Sequence, residues 1–179
     1  MSIKSDWPSA RGFTLIELLV VIAIIGLLSG VIIASFAGIR DKARTARMRS
    51  EALQLTKAIT IVQGDSGKTL MQITGNGCSD CNVACAGTDL RNTNNACYTQ
   101  WVSDLSAFQN AADNDVQGIA SFARDPWGSP WLLDENEGEI PANPCRIDQI
   151  TSAGPDGIKG TADDYTFILP FSTAQCLIR

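Results

Sequence analysis

The sequence predicts an α+β protein in which a long N-terminal α-helix packs on a small antiparallel β-sheet. Three observations indicate this fold class. A long apolar run ends near Ile39, a regular apolar stripe follows it, and short apolar stretches bounded by Gly, Pro and Asp fill the C-terminal third of the chain. The first two patterns are typical of helices, and the third is typical of strands joined by tight turns.

These patterns divide the 179 residues into consecutive segments. From the N-terminus we expect a leader peptide (1–12), a transmembrane and assembly helix (13–39), the amphipathic half of the same helix (40–63), a Cys-rich loop with a short helix (64–123) and a C-terminal β-sheet with a calcium loop (124–179). Apolar residues are concentrated in the second segment, so the remainder has the composition of an ordinary small domain.

Residues 18–39 form a run of 22 residues without a charged side chain. As a helix this run would be about 33 Å long, which is enough to cross a bilayer. It differs from a secretory signal peptide, whose apolar region is shorter and is followed by the cleavage site, because here the short polar leader lies before the run and ends in Arg11-Gly12. If the chain is cut after Gly12, Phe13 becomes the new N-terminus.

Glu17 lies near the start of the apolar run, where an unneutralised carboxylate is costly in hydrocarbon. In a cut chain, the α-ammonium of Phe13 lies one helical turn before this carboxylate. Two such helices staggered by about one turn would place the ammonium of one beside the carboxylate of the next. Glu17 is therefore expected to set the register of assembly. The alternative is that Glu17 lies at the membrane interface with its carboxylate in water.

The residues RGFTLIE at 11–17, followed by LLVVIAIIG at 18–26, resemble the processing and assembly signal of type IV pilins and type II secretion pseudopilins. In that family a prepilin peptidase cuts after the glycine and methylates the new N-terminal phenylalanine. The resemblance implies that Gly12 and Phe13 form the processing site, and that Phe13 and Glu17 act in assembly. It also implies a helical homopolymer that grows from an assembly platform in the inner membrane.

Charge is unevenly distributed along the chain. Residues 40–57 contain six basic and two acidic side chains, whereas residues 100–179 contain twelve acidic and four basic ones. The acidic body would repel phosphates, which argues against nucleic-acid binding there. The basic segment can meet membrane lipid headgroups or acidic patches on a neighbouring copy.

The helix is expected to continue beyond the apolar run, because apolar residues then follow a 4-3-4-3 spacing at Met48, Ala52, Leu55, Ile59 and Val62. Such a stripe is typical of a helix face that packs on a core. The Gly-Asp-Ser-Gly sequence at 64–67 predicts the end of the helix. A short second helix is indicated by Trp101, Leu105, Phe108 and Ala112.

The chain has six cysteines and no histidine, and an even number of cysteines indicates disulfides and an oxidising compartment. The disulfide candidates are Cys78, Cys81, Cys85, Cys97, Cys145 and Cys176. The first four are expected to staple a long polar loop, and the last two could pair with each other. The alternative is a zinc or iron–sulfur site at the first three cysteines.

The disulfides and the family resemblance together predict the location of the protein. Before assembly we expect a single-pass inner-membrane protein with its body in the periplasm. After assembly we expect a periplasmic or extracellular filament.

The sequence RDPWGSPWLL at 124–133 predicts a tight turn that leads into a strand. It resembles the Asp-Pro-Trp-Gly segment that opens the C-terminal sheet in the major pseudopilin of type II secretion. Strands are expected near residues 129–133, 146–152 and 165–169.

Residues 152–164, between the last two expected strands, combine three Asp residues with several Gly. Carboxylates and backbone carbonyls are the hard oxygen ligands that Ca2+ prefers, and the spacing here is not that of an EF-hand. The segment resembles the calcium loop of secretion pseudopilins. The resemblance implies a structural Ca2+ bound by Asp156 and Asp164, with Asp163, the Ser152 hydroxyl and nearby carbonyls as further ligands. The alternative is a solvated Asp/Gly turn.

No catalytic arrangement is visible in the sequence, which has no His, no nucleophile motif and no phosphate-binding loop. The chain is therefore expected not to be an enzyme. The expected function is that of a structural subunit of a type II secretion pseudopilus or a type IV pilus. The alternative is a membrane-anchored minor tip subunit or adhesin that binds a surface through its Cys-rich loop.

Overall fold

The computed structural model describes residues 12–75, 77–80, 85–112 and 116–177, and for residues 31–37 it describes the backbone alone. Cys81 and nearly all of the expected leader lie outside these ranges. The elements are α1 (Leu15–Ser66), α2 (Leu70–Thr74), α3 (Ala96–Ala111), a 3-10 helix (Ile119–Ala123), β1 (Leu132–Asp134), β2 (Gln149–Ser152), β3 (Tyr165–Ile168) and α4 (Ala174–Leu177). The chain divides into two compact units, Met1–Lys42 and Ala43–Arg179.

The first unit contains the N-terminal part of α1, whose apolar side chains between residues 15 and 28 are exposed. Leu15 and Leu27, for example, are 89% and 73% exposed. In the part of the chain that the structure describes, no helix is both long enough and apolar enough to cross a membrane.

The second unit is built around the C-terminal part of α1. All five residues of the 4-3-4-3 stripe are fully buried, which confirms the predicted core face. They join one apolar cluster with Trp101 and Phe108 of α3 and with Trp131 and Ile150 of the sheet region. The helix ends as predicted, because Gly67 adopts a left-handed φ of 64° and its amide donates to the carbonyl of Gln63 at 2.9 Å.

The predicted second helix is confirmed as α3. It begins at the N-cap residue Asn95, whose side chain accepts a hydrogen bond from the Tyr98 amide at 2.9 Å. The indole of Trp101 donates to the carbonyl of Phe122 at 2.8 Å and so ties α3 to the 3-10 helix.

The sheet is antiparallel with the strand order β1-β2-β3. Ile150 lies at its centre and is opposite Leu133 on one side and Phe167 on the other. All three strands are shorter than predicted. The first two are shortened by side-chain chemistry, because Asp125 folds the 124–131 segment into a turn and the carboxylate of Asp148 accepts the amides of Asn136 and Glu137.

Candidate functional site

The first candidate site is the start of α1, where Thr14 and Glu17 form a capping box. The Thr14 amide and hydroxyl donate to Oε2 of Glu17 at 2.9 and 2.8 Å, and the Glu17 amide donates to the Thr14 hydroxyl at 3.3 Å. These bonds satisfy backbone amides that have no partner inside the helix. The Thr-x-x-Glu signal for this cap is visible in the sequence, although the roles expected for Glu17 were assembly or a position at the membrane interface.

The residues of the expected processing site precede this capping box. Gly12 and Phe13 lie before the first residue of α1, outside regular secondary structure, and both are exposed. Phe13 is 80% exposed. The junction between them is therefore an accessible, non-helical peptide next to a capped helix start.

The second candidate site is the loop between β2 and β3, and its three carboxylates serve different partners. Asp163 accepts from the Asp156 amide at 3.0 Å and from the Thr161 hydroxyl at 2.5 Å. One oxygen of Asp156 accepts from the Ile158 amide at 2.8 Å. Oδ2 of Asp164 accepts from the Gly160 amide at 2.8 Å, while its Oδ1 is buried without a hydrogen-bond partner.

The orphaned oxygen of Asp164 fits a cation ligand. Burial raises the pKa of Asp164, and the charges of Asp163, Asp156 and Asp80 raise it further. A cation would relieve both the repulsion and the missing contact. In the residues that the structure covers, no three acidic, Cys or His side chains are already gathered as a metal cluster. Closure around an ion would therefore require these side chains to converge.

The hydroxyl of Ser152, another expected ligand, has partners on both the loop and the turn before β1, since it also accepts from the Gly154 amide at 3.3 Å. This hydroxyl donates to Oδ2 of Asp125 at 2.5 Å, and both residues are buried. The other Asp125 oxygen accepts the amides of Trp127, Gly128 and Ser129 at 2.9, 2.9 and 3.0 Å. Asp125 thus folds the turn before β1 and fastens it to the end of β2 through the Ser152 hydroxyl.

The Cys-rich segment (residues 78–97) contacts the loop between β2 and β3. The Leu90 amide donates to the Gly157 carbonyl at 2.9 Å, and the Arg91 guanidinium donates to the Pro155 carbonyl at 2.7 Å. Lys159 reaches back to Asp80, with its ammonium 2.6 Å from the carbonyl and 2.5 Å from the carboxylate. The sequence analysis missed these contacts, because partners 64 to 79 residues apart leave no local signal.

The disulfides confirm part of the cysteine prediction. Cys85 pairs with Cys97, and Cys145 pairs with Cys176 as the sequence suggested. Cys78 is also disulfide-bonded, and no cysteine in the described ranges is free. The metal–thiolate alternative is therefore wrong for Cys78 and Cys85, whose sulfurs are already used.

Comparison with known proteins gives consistent matches. The family model of the prokaryotic N-terminal methylation motif matches residues 7–33. The type II secretion system core protein G of Escherichia coli (strain K12) is 30% identical over 157 residues, which cover 87% of this chain and 89% of that protein. The type IV major fimbrial protein FimA of Dichelobacter nodosus is 31% identical over 117 residues, which cover 64% of this chain and 72% of that protein. No solved structure gives a significant match.

The matches extend well beyond the methylation motif. Core protein G of Klebsiella pneumoniae is 28% identical over 155 residues, which cover 86% of this chain and 91% of that protein. The fold, a long N-terminal helix on a three-stranded antiparallel sheet, agrees with the resemblance inferred from the first residues. The chain therefore belongs to the family of type IV pilins and type II secretion pseudopilins, whose members are structural filament subunits.

Proposed function

We propose that this protein is the core subunit of a type II secretion pseudopilus and has no catalytic activity. The observation that carries the proposal is the extent of similarity. Relatives named core protein G match 86–87% of the chain, including the body, whereas the fimbrial protein FimA matches 64% of it. The subunit assembles with copies of itself into a helical homopolymer.

Assembly begins with processing at the Gly12–Phe13 peptide by a prepilin peptidase, followed by methylation of Phe13. The exposed, non-helical junction and the matched methylation motif support this step. The new α-ammonium of one subunit then pairs with the Glu17 carboxylate of the next on the assembly platform. An ion pair of this kind is favourable in an apolar layer because each charge neutralises the other.

The exposed apolar side chains at the start of α1 support a location in apolar surroundings. We place them in the inner membrane before assembly and against neighbouring helices afterwards. The disulfides of the body support a periplasmic location, since such bonds persist in oxidising compartments. The basic segment at residues 40–57 then faces lipid headgroups.

The loop between β2 and β3 takes a structural Ca2+ through Asp156 and Asp164, with Asp163 and backbone carbonyls as further ligands. The orphaned Asp164 oxygen supports this assignment. The ion supplies positive charge beside the Asp164 carboxylate, which experiences the charges of Asp163 and Asp156. The contact of Arg91 with Pro155 and that of Lys159 with Asp80 hold the loop against the Cys-rich segment.

The first test is the intact mass of the protein from cells that express the secretion system, followed by imaging of filaments. We expect a chain that starts at methylated Phe13, and short filaments that form when the protein is overproduced. A Glu17→Ala variant should be cut and methylated but should not polymerise. The control is Glu51→Gln, a change on the same helix beyond the apolar run, which should be cut, methylated and polymerised like the wild type.

Two results would contradict the proposal. A mass that still includes Met1 to Gly12 would exclude processing. A processed protein of low copy number that never polymerises would favour the minor tip subunit or adhesin. A relative named probable minor fimbrial protein, from Dichelobacter nodosus, is 32% identical over 80 residues and supports this alternative.

A further inference from the structure

Two acidic side chains are buried where α3 meets the end of β1. Asp104 lies in α3 and is 1% exposed, and Glu135 directly follows β1 and is 3% exposed. We call these two residues the acid pair. Neither belongs to the loop between β2 and β3 nor to the N-terminal segment, so the proposed function does not use them.

In each member of the acid pair, only one of the two carboxyl oxygens accepts a hydrogen bond. Oδ1 of Asp104 accepts from the Gln100 amide group at 3.0 Å, and Oε1 of Glu135 accepts from the Thr74 hydroxyl at 2.7 Å. The other oxygen of each carboxyl group, Oδ2 and Oε2, is buried without a partner. A buried oxygen that carries charge and has no donor is unfavourable, whereas a protonated carboxyl group would supply its own donor.

In the described part of the chain, the charges that act on the acid pair come from acidic side chains. Asp104 experiences the charge of Glu135, and Glu135 experiences the charges of Asp134 and Asp148. The packed elements α2 and α3 present Thr74 and Gln100, which do not titrate. None of the ion pairs found in the described part of the chain includes either member.

Both pKa values move in the direction that favours the neutral acid. Burial raises the pKa of Asp104 to about 7, with the Glu135 charge adding to burial and the Gln100 hydrogen bond opposing it. Burial is also the main cause that raises the pKa of Glu135, helped by Asp148 and Asp134 and opposed by the Thr74 hydrogen bond. Because Asp104 is buried and experiences the charge of Glu135, ionising both carboxylates without a cation is costly.

We propose that Asp104 and Glu135, each with a buried oxygen that has no partner, form a proton-binding site between α3 and the end of β1, which holds a proton in the folded state and releases it as pH rises. The release leaves two like charges inside the body. Because α3 also carries Cys97, which pairs with Cys85, loosening of α3 would spread to the Cys-rich segment. The conformation of the Cys-rich segment would therefore depend on the pH around the body.

The sign of the pH effect follows from proton binding. In the unfolded chain Asp104 has the ordinary pKa of 3.8, whereas in the folded chain burial raises the pKa of Asp104 to about 7. Between these values the folded state binds more protons, so the folded state loses stability as pH rises. Above the pKa of the folded state, Asp104 is ionised in both states and the loss of stability is complete.

The direct experiment is carbon NMR of the full chain in detergent micelles, with the Asp carboxyl carbons labelled. We expect the Asp104 signal, assigned by its loss in Asp104→Asn, to titrate with a midpoint near neutral pH. A midpoint in the ordinary range of an Asp carboxyl group would overturn the proposal. The same titration in an Asp164→Asn background with and without EDTA separates a proton from a metal ion, because a midpoint that depends on EDTA would show that a metal neutralises the pair.

Stability gives an independent readout in the same protein. Between about pH 5 and pH 8, the folded-to-unfolded ratio of the wild type should fall at least about tenfold more than that of Asp104→Asn. The matched control is Asp65→Asn, the same chemical change at an exposed position, which should keep the wild-type slope. Equal slopes for all three proteins would contradict the proposal.

Discussion

The amide and the hydroxyl of Thr14 donate hydrogen bonds to the same carboxylate oxygen of Glu17, at 2.9 and 2.8 Å. Glu17 therefore stabilises the start of its own helix as well as serving the proposed contact with a neighbouring subunit. The two roles are compatible, because a capping carboxylate can accept a further charged donor from outside the helix. Helix start and assembly contact are thus linked through one side chain.

Thr14→Ala is expected to fray the first turn of α1. The substitution removes the hydroxyl that accepts the Glu17 amide and donates to the Glu17 carboxylate. Loss of such a cap costs about 1 kcal/mol, so the Glu17 amide should exchange with deuterium roughly fivefold faster. Thr14→Ser keeps the hydroxyl and should exchange like the wild type. Equal protection in Thr14→Ala and Thr14→Ser would show that the cap does not hold the helix start.

Gly154→Ala is expected to destabilise the loop between β2 and β3 more than a left-handed conformation alone explains. Gly154 and Gly67 share a φ of +64°, so alanine is strained at both positions. A Cβ at Gly154 would also collide with the backbone carbonyl of Asp163, whereas a Cβ at Gly67 meets nothing within 4 Å.

Thermal unfolding of the two alanine variants measures the difference. Gly67→Ala should cost about 1–2 kcal/mol, and Gly154→Ala should cost at least about 1–3 kcal/mol more because packed backbone must move. Similar unfolding temperatures for both variants would mean that the loop shifts without cost and does not hold a defined shape.

Features carried by local spacing could be predicted from the sequence. The stripe from Met48 to Val62, the helix around Trp101 and the turn before β1 all follow from residues within a few positions of one another. The methylation motif is equally local, and it was sufficient to indicate the family.

Features that depend on distant partners could not be predicted. The hydroxyl of Ser152 donates to Asp125, 27 residues away, and nothing in the local sequence indicates this partner. The contact between Lys159 and Asp80 spans 79 residues, and the burial of Asp104 depends on how α3 packs. In each case the side chain is polar and common on surfaces, so its type carries no signal of the partner.

Calcium is expected to stabilise the wild-type body and to lose this effect in Asp164→Asn. At a concentration about 100 times its dissociation constant, an ion that binds only the folded state contributes about 2.7 kcal/mol. For a protein of this size that raises the unfolding temperature by roughly 5–10 °C. Calorimetry with added Ca2+ or EDTA measures the shift, and Asp65→Asn is the control because Asp65 is exposed in the last turn of α1. A shift of the same size in Asp164→Asn would exclude Asp164 as a ligand.

Glu137 is expected to hold the C-terminal tail in a pH-dependent way. Its two carboxylate oxygens accept four hydrogen bonds, at 2.6–2.9 Å, from the amides and hydroxyls of Ser172 and Thr173. Burial by itself would raise the pKa of Glu137, but these hydrogen bonds outweigh it and lower the pKa. The stabilisation by Glu137 is therefore complete above the ordinary pKa of 4.5, which applies to the unfolded chain, and is lost as pH falls through the lowered pKa of the folded chain.

The disulfide between Cys145 and Cys176 fastens the same tail, so the two attachments must be separated experimentally. Loss of the hydrogen bonds in Glu137→Gln should cost about 2–3 kcal/mol, and loss of the disulfide about 3–4 kcal/mol. Hydrogen exchange at the Cys176 position, whose amide donates to the Thr173 carbonyl, reports release of the tail.

We expect the amide at position 176 to stay strongly protected from hydrogen exchange in Glu137→Gln, where the disulfide is intact. The same amide should stay protected in Cys145→Ser/Cys176→Ser at neutral pH, where the Glu137 hydrogen bonds are intact. Protection should disappear in that double variant on acidification and in the triple variant at any pH, because no attachment then remains. Glu139→Gln is the control, since Glu139 lies in the same loop but pairs at the surface with Arg146. If acid leaves the tail of Cys145→Ser/Cys176→Ser protected, the Glu137 carboxylate is not the second attachment and the apolar contacts of the tail hold it instead.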